Sequence, residues 1–152
     1  MHLSYKHGKD VERLWNYAKD NNLIGLDPLI ELLGEWNEVK ETVKDRMSRI
    51  WINQMEMFVN EMKLNDIVVI LEGWHSLLGV VEELKECEYR RELSSRRGVF
   101  FDHVRPVAKW RRKYDYGEHP ELPERVKGFN NTLSKVEHGS KRWSILTDME
   151  IS

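Results

Sequence analysis

Asp66, Glu83 and Lys85 are the residues whose types and order could do chemistry. An Asp that opens one apolar run, followed by Glu83-Leu84-Lys85 at the close of the next, is the order used by metal-dependent nucleases. There, two carboxylates share a divalent cation that aligns a water against a phosphodiester, and a lysine steadies the developing charge. The pattern is loose, because Glu38-Val39-Lys40 satisfies the same Glu-x-Lys spacing. The histidines (His2, His7, His75, His103, His119 and His138) include no i,i+4 pair and none beside Cys87, so zinc spacings are missing and surface positions are expected. Neither a Gly-x-x-x-x-Gly-Lys-Ser/Thr phosphate loop nor a Gly-x-Ser-x-Gly elbow occurs. Cys87 reads as a small packed side chain rather than a nucleophile. The expectation is a binding domain with no catalytic residue, metal or cofactor, with the Asp66, Glu83 and Lys85 nuclease as the weaker alternative.

Charge is distributed unevenly. Between Arg90 and Lys113 there are nine Lys/Arg against Glu92 and Asp102, a local +7, so the remainder carries −9 of the net −2. A basic block inside an otherwise acidic chain is an electrostatic footprint for a polyanion. With 33% charged and 40% hydrophobic residues the chain has the balance of a globular domain, and 152 residues are enough for one domain over 1–152. No apolar run reaches the ~20 residues of a membrane span. The opening MHLSYKHGKDVERLW lacks an apolar signal region, and one cysteine fits a reducing compartment, so a cytoplasmic location and no membrane partner are expected. Six Trp and five Tyr leave material for a surface aromatic cage.

The elements that must position these residues follow from periodicity. KDVERLWNYAKD places Val11, Leu14, Trp15 and Ala18 on one helical face. Leu23 to Leu26 is a short strand stopped by Asp27-Pro28. Glu35 to Ser48 repeats Trp36, Val39, Val43 and Met47 at helical spacing and continues to Ile50. RIWI reads as a brief extended segment, with Asn53 capping a helix over Gln54 to Met62 whose Met55, Phe58, Val59 and Met62 point inward. Leu64-Asn65-Asp66 is turn chemistry before the strand Ile67 to Leu71, and Leu77 to Leu84 is the returning strand. Phe100 to Trp110 is β-favouring, its proline pointing to an edge or a strand start. Tyr114 to Glu124 is a Pro/Gly loop, Val126 to Val136 a short helix, and KRWSIL a last strand. The fold class is α+β, a small curved sheet with flanking helices.

Three ordered blocks resemble the PUA-like β-barrel family that includes EVE and YTH domains. RIWINQMEMFVNEMKLNDIVVIL has the family's order of a short strand, a helix and then Met-Lys-x-x-Asp opening a strand, with Asn65 where the family commonly has glycine. LLGVVEELKECEYR is similar to the strand that leads into a Tyr-containing loop, and FFDHVRPVAKW to the His-x-Arg-x-Val strand that follows. LPERVKGFNNTLSKVEHG looks like the tail of such domains in McrB-type, modification-dependent restriction proteins. The resemblance implies a DNA-binding module that flips a methylated base into an aromatic pocket, N6-methyladenine ahead of 5-methylcytosine. It also implies a motor domain and a nuclease subunit elsewhere in the complex. A methylated-RNA reader of the same fold is the alternative, and a protein-interaction domain using exposed aromatics a further one.

For the pocket the resemblance nominates Trp51 as the cage ring and Tyr89 and Phe100 as walls. Asp27 and Asn53 are nominated at the base edge; the resemblance does not place Trp74, at the tip between the two apolar runs, in the cage, and that residue is read as a wedge beside the base. Each has a structural role to set against this: core packing for Trp51 and Phe100, a turn for Asp27, a helix cap for Asn53, a barrel cover for Trp74. Arg49, Arg90, Arg91, Arg96, Arg97, Lys109, Arg111 and Arg112 are the candidates for phosphate contacts.

Overall fold

The computed structural model describes residues 2–5, 9–26, 32–72, 76–90 and 102–122, together with 133, 134, 136, 139, 140, 143, 144 and 148. In chain order its elements are β1 (His2–Tyr5), α1 (Lys9–Asn21), β2 (Leu23–Leu26), α2 (Trp36–Val43), α3 (Arg49–Glu56), β3 (Val68–Glu72), β4 (Ser76–Leu84), β5 (Glu88–Tyr89), β6 (His103–Lys113) and β7 (Leu133–Ser134). A 3₁₀ turn, Lys44–Arg46, follows α2, and a π-helical turn, Met57–Glu61, follows α3. Among the described residues the strands form one curled, mostly antiparallel sheet in the order β2-β6-β4-β3-β1-β7, with β5 beside β6, and three α-helices accompany it. The fold is α+β. No helix among the described residues is long and apolar enough to cross a membrane.

The expected face of α1 is the buried one: Val11, Trp15 and Ala18 are inaccessible, and the Trp15 indole N–H donates to the Tyr114 carbonyl at 2.8 Å. Asn22 ends the helix in the left-handed region at φ 52°, which Asn tolerates better than most residues. Its carbonyl accepts the Val107 N–H at 2.8 Å and its side chain accepts the Trp110 indole N–H at 3.0 Å, so one turn residue ties α1 to β6. Trp15 and Trp110 meet edge to face at 5.8 Å over Gly79.

The main core packs Trp15, Leu23, Trp36, Met55, Phe58 and Ile70 with their neighbours, and a smaller cluster of Val69, Leu71, Leu77, Val80 and Leu122 completes the burial of β3 and β4. Both β3 and β4 therefore read as continuous apolar runs, because successive side chains point to opposite faces and both faces are covered.

Six expectations are corrected. RIWI is the first turn of α3, not an extended segment: the Ser48 hydroxyl accepts the Trp51 N–H at 3.3 Å and starts the helix there. Asn53 consequently lies inside α3 and caps nothing, and the helix expected through Ser48 instead ends at Val43. Pro106 sits in the interior of the longest strand rather than at an edge or start. It falls where β6 changes neighbours, its register partner being Leu23 at the start of β2, while the pairing with β4 begins at Leu84↔Val107. Its carbonyl still accepts the Lys85 N–H at 2.8 Å. Leu133–Ser134 is a strand beside β1 instead of helix, and Trp143 and Ser144 form a helical turn closed by Ser144 N–H to Ser140 O at 3.0 Å. The strand β1, parallel to β3, was not anticipated.

Candidate nucleic-acid interface

Strand β6 carries five of the nine cations of the basic block, Arg105, Lys109, Arg111, Arg112 and Lys113. Its first residues, His103 to Arg105, are buried between β2 and β5, whereas the stretch from Ala108 onward pairs with β4 and is half-buried to exposed. Lys109 Nζ and Arg111 NH2 both reach the Glu82 carboxylate, at 3.1 and 3.0 Å. Those hydrogen bonds, from Arg111 first and then Lys109, hold Glu82 below the usual carboxylate range. Arg112 donates to the Tyr114 hydroxyl at 3.2 Å, and Lys113 lies 5.6 Å from the centroid of the Trp110 ring. Exposed pairs of this kind are weak and exchange readily for a phosphate.

Arg105 belongs to the basic block only in sequence. It is 3% exposed, and its guanidinium donates to the carbonyls of Phe58, Val59, Met62 and Lys85 at 2.7 to 3.2 Å. Three of these carbonyls end α3 and its π turn, so Arg105 supplies the donors that a helix C-terminus lacks. Burial lowers its affinity for the proton, which the nearby Cys87, Asp66 and Glu86 partly restore.

Of the other phosphate candidates, Arg49 is exposed on the first turn of α3, and Arg90 is clamped by Glu88 at 2.7 and 3.0 Å. Arg91, Arg96 and Arg97 lie outside the described residues. So do Asp27, Phe100 and Trp74 of the base pocket. Trp51 is half-buried against the main core, Asn53 is exposed on α3, and Tyr89 donates its hydroxyl to the Leu32 carbonyl at 3.2 Å with its ring 5.2 Å from His103.

Asp66 accepts the Lys63 backbone N–H at 2.8 Å, closing the turn before β3, and Glu83 is exposed opposite Lys109 in the β4–β6 register. Among the described residues no three His, Cys, Asp or Glu side chains are grouped to hold a metal ion. Burial pushes the Cys87 thiol up to about 12, with Arg105 pulling weakly the other way.

Two polar clusters escaped the sequence reading, which placed the histidines on the surface. His103 is fully buried: its Nδ1 is 2.9 Å from Asp102 Oδ1 and its Nε2 accepts the Trp36 N–H at 2.9 Å. The other oxygen of Asp102 is buried without a partner. At the turn end of the β3–β4 hairpin, Glu72 accepts the Tyr116 hydroxyl at 2.8 Å and the Ser76 hydroxyl at 3.4 Å, with His119 Nε2 at 3.3 Å. The Tyr116-x-x-His119 spacing in the loop was the one signal that could have flagged this second cluster.

Two clefts open among the described residues. One, of about 440 Å³, lies between the π turn, the start of α2 and the β4–β5 connection, with Arg105 in its lining. The other, of about 390 Å³, is formed by Lys19, Asp20, Asn22, Lys113 and Asp115 beside the end of β6. Neither is lined by Trp51, Asn53 or Tyr89.

No curated protein and no solved structure matches the chain. A family model does match, over residues 3–137, which takes in all of α1 to β7. The chain therefore belongs to the family described as Domain of unknown function (DUF8426).

Proposed function

We propose that this chain is a nucleic-acid-binding module of the PUA-like EVE/YTH type. It reads a methylated base in double-stranded DNA, N6-methyladenine ahead of 5-methylcytosine, and directs a McrB-like restriction complex whose motor and nuclease are separate parts. The observation that carries the reading is the second half of β6. Lys109, Arg111, Arg112 and Lys113 follow one another along the longest strand, Lys109 and Arg111 sharing Glu82, Arg112 donating to Tyr114 and Lys113 lying over Trp110. A cationic strip of that kind displaces counterions from a phosphate backbone and gives salt-dependent affinity. The curled sheet with helices on its flank supports a small PUA-like barrel, and half-buried Trp51 supplies an aromatic side chain within reach of solvent.

Reading a methyl group requires the base to leave the stack, which costs a few kcal/mol. Stacking on an aromatic ring returns ~1–3 kcal/mol, and burying the methyl adds about 0.8 kcal/mol. Selectivity thus depends on the fit of an apolar wall. Fluorescence anisotropy with matched duplexes, unmodified or carrying N6-methyladenine or 5-methylcytosine, tests the proposal at several salt concentrations. The expected result is tighter binding to a methylated duplex with a steep salt dependence. Equal affinity for all duplexes removes the modified base from the reading, and binding insensitive to salt removes nucleic acid. Stronger competition by single-stranded methylated RNA would favour the RNA reader.

A further inference from the structure

The cleft at the end of α3 has a construction that the β6 surface does not account for. Its volume, about 440 Å³, lies in the range of small-molecule pockets. Asn60, in the π turn, forms part of one wall, and that turn is closed by the Met62 N–H bonding back to Met57 O at 2.8 Å, a five-residue step. Such a turn inserts one residue into a helix and is frequent at functional sites. Arg105 fixes the wall from below through four carbonyls, leaving one of its five N–H groups over.

The chemistry of the lining selects a ligand class. Its ionic groups are Lys63 and Arg105 against Glu35 and Glu86, so the formal charges cancel. A phosphate ion or a bare divalent cation gains little from a lining without net charge. Two carboxamides stand at the rim: Asn37 and Asn60 bond each other reciprocally at 2.8 and 3.0 Å, an arrangement with one donor and one acceptor on each amide. That is the edge that an asparagine offers to a nucleobase in bidentate recognition. Val59, Met62 and Leu64 add apolar surface to cover a flat ring or a methyl group.

We propose that this cleft binds a neutral, planar nucleobase, with the Asn37 and Asn60 amides exchanging their mutual hydrogen bonds for the donor–acceptor edge of the ring. None of its lining residues belongs to the Lys109 to Lys113 strip, so this is a second site and not a restatement of the first. The base is supplied either as a free nucleoside or from a nucleic-acid strand.

The test uses the full ¹⁵N-labelled chain, titrated with adenosine, N6-methyladenosine, cytidine and 5-methylcytidine, and separately with short single strands and duplexes carrying the same bases. The side-chain amide resonances of Asn37 and Asn60 are followed by NMR. Saturable shifts with a nucleoside identify the free base as ligand, and shifts with strands alone identify the strand. In either case Asn37→Ala, at an exposed position, is expected to weaken binding by about tenfold. Leu64→Gln, also exposed, is expected to weaken the methylated ligand more than its unmethylated counterpart. Unmoved amide resonances with every probe, or unchanged affinity in both variants, overturn the proposal. Nucleoside binding here without any duplex binding leaves this site standing and removes the DNA-reading function instead.

Discussion

Trp36 and His103 meet across 67 positions of sequence, the backbone N–H of the first donating to Nε2 of the second at 2.9 Å. The first N–H groups of a helix have no partner within it, and here a buried imidazole accepts one of them. Because Nε2 accepts, the ring proton sits on Nδ1 and points at Asp102 Oδ1, 2.9 Å away. His103 is thereby a buried joint between α2 and β6. His103→Ala is expected to cost about 2–4 kcal/mol in urea unfolding, since it leaves a cavity and two groups without partners. Asp102→Asn keeps the acceptor and removes a half-partnered carboxylate, so it is expected to change stability by less than about 1 kcal/mol. Equal losses in the two variants would show that the charge on Asp102 is required.

Gly79 leaves room for a tryptophan. A methyl group there would lie 2.7 Å from Trp15 Cη2 and 3.0 Å from the Arg112 carbonyl oxygen. Neither can yield easily, one being a buried ring and the other backbone in the β4–β6 ladder. Gly79→Ala is expected to lower the unfolding free energy by about 1–3 kcal/mol, read from the urea midpoint at constant slope. An unchanged midpoint would mean that the two tryptophans shift together at no cost.

Arg105 cannot be replaced by another cation. A lysine has three donors on one nitrogen and no planar fork to span four carbonyls. Arg105→Lys is expected to lose about 2–4 kcal/mol, measured by chemical unfolding, with amide exchange accelerating first at the π turn. Retention of wild-type stability would refute its role as the C-terminal cap of α3.

Acid should loosen the contact between α2 and α3. Burial raises the Glu56 carboxyl, but hydrogen bonds from Asn60, Lys40 and Trp36 outweigh it and bring the group below its ordinary 4.5. A lowered carboxylate contributes stability above its unfolded value, and that contribution is lost as the pH falls through the folded value. Stability measured from neutral pH down to the region below 4.5 is therefore expected to fall more steeply in wild type than in Glu56→Gln. Parallel curves would assign the acid sensitivity to other groups.

On the strip of β6, Lys109→Ala and Arg111→Ala are each expected to weaken DNA binding uniformly across sequences and to reduce the salt slope by about one. Their common partner Glu82 gives an internal control, because Glu82→Gln removes the carboxylate that competes with phosphate for both cations and is expected to tighten binding. Loss of affinity in Glu82→Gln would argue that the carboxylate positions the two side chains.

What could be read from the sequence was whatever depends on near neighbours. The buried face of α1 and the paired runs of β3 and β4 follow from periodicity. RIWI misled because its apolar, β-branched residues favour an extended chain locally. The Ser48 cap and the burial of Met55 and Phe58 one and two turns on decide otherwise. His103 read as a surface residue because its partner is a backbone N–H far away in sequence. Arg105 read as part of a phosphate-binding block because charge counting cannot see that four carbonyls surround it. The reciprocal amides of Asn37 and Asn60, 23 positions apart, left no local trace at all.

The change of neighbours along β6 also orders events in time. During synthesis β2 and β4 leave the ribosome well before residues 103–113, and both must wait for the strand that each will pair with. A nascent chain shorter than this therefore presents two unpaired strand edges at once, and one late segment closes both. A chain ending before His103 would keep those edges open, the condition under which strands recruit one another. The same strand that carries the cationic surface thus sets the point in translation before which neither edge can find its partner.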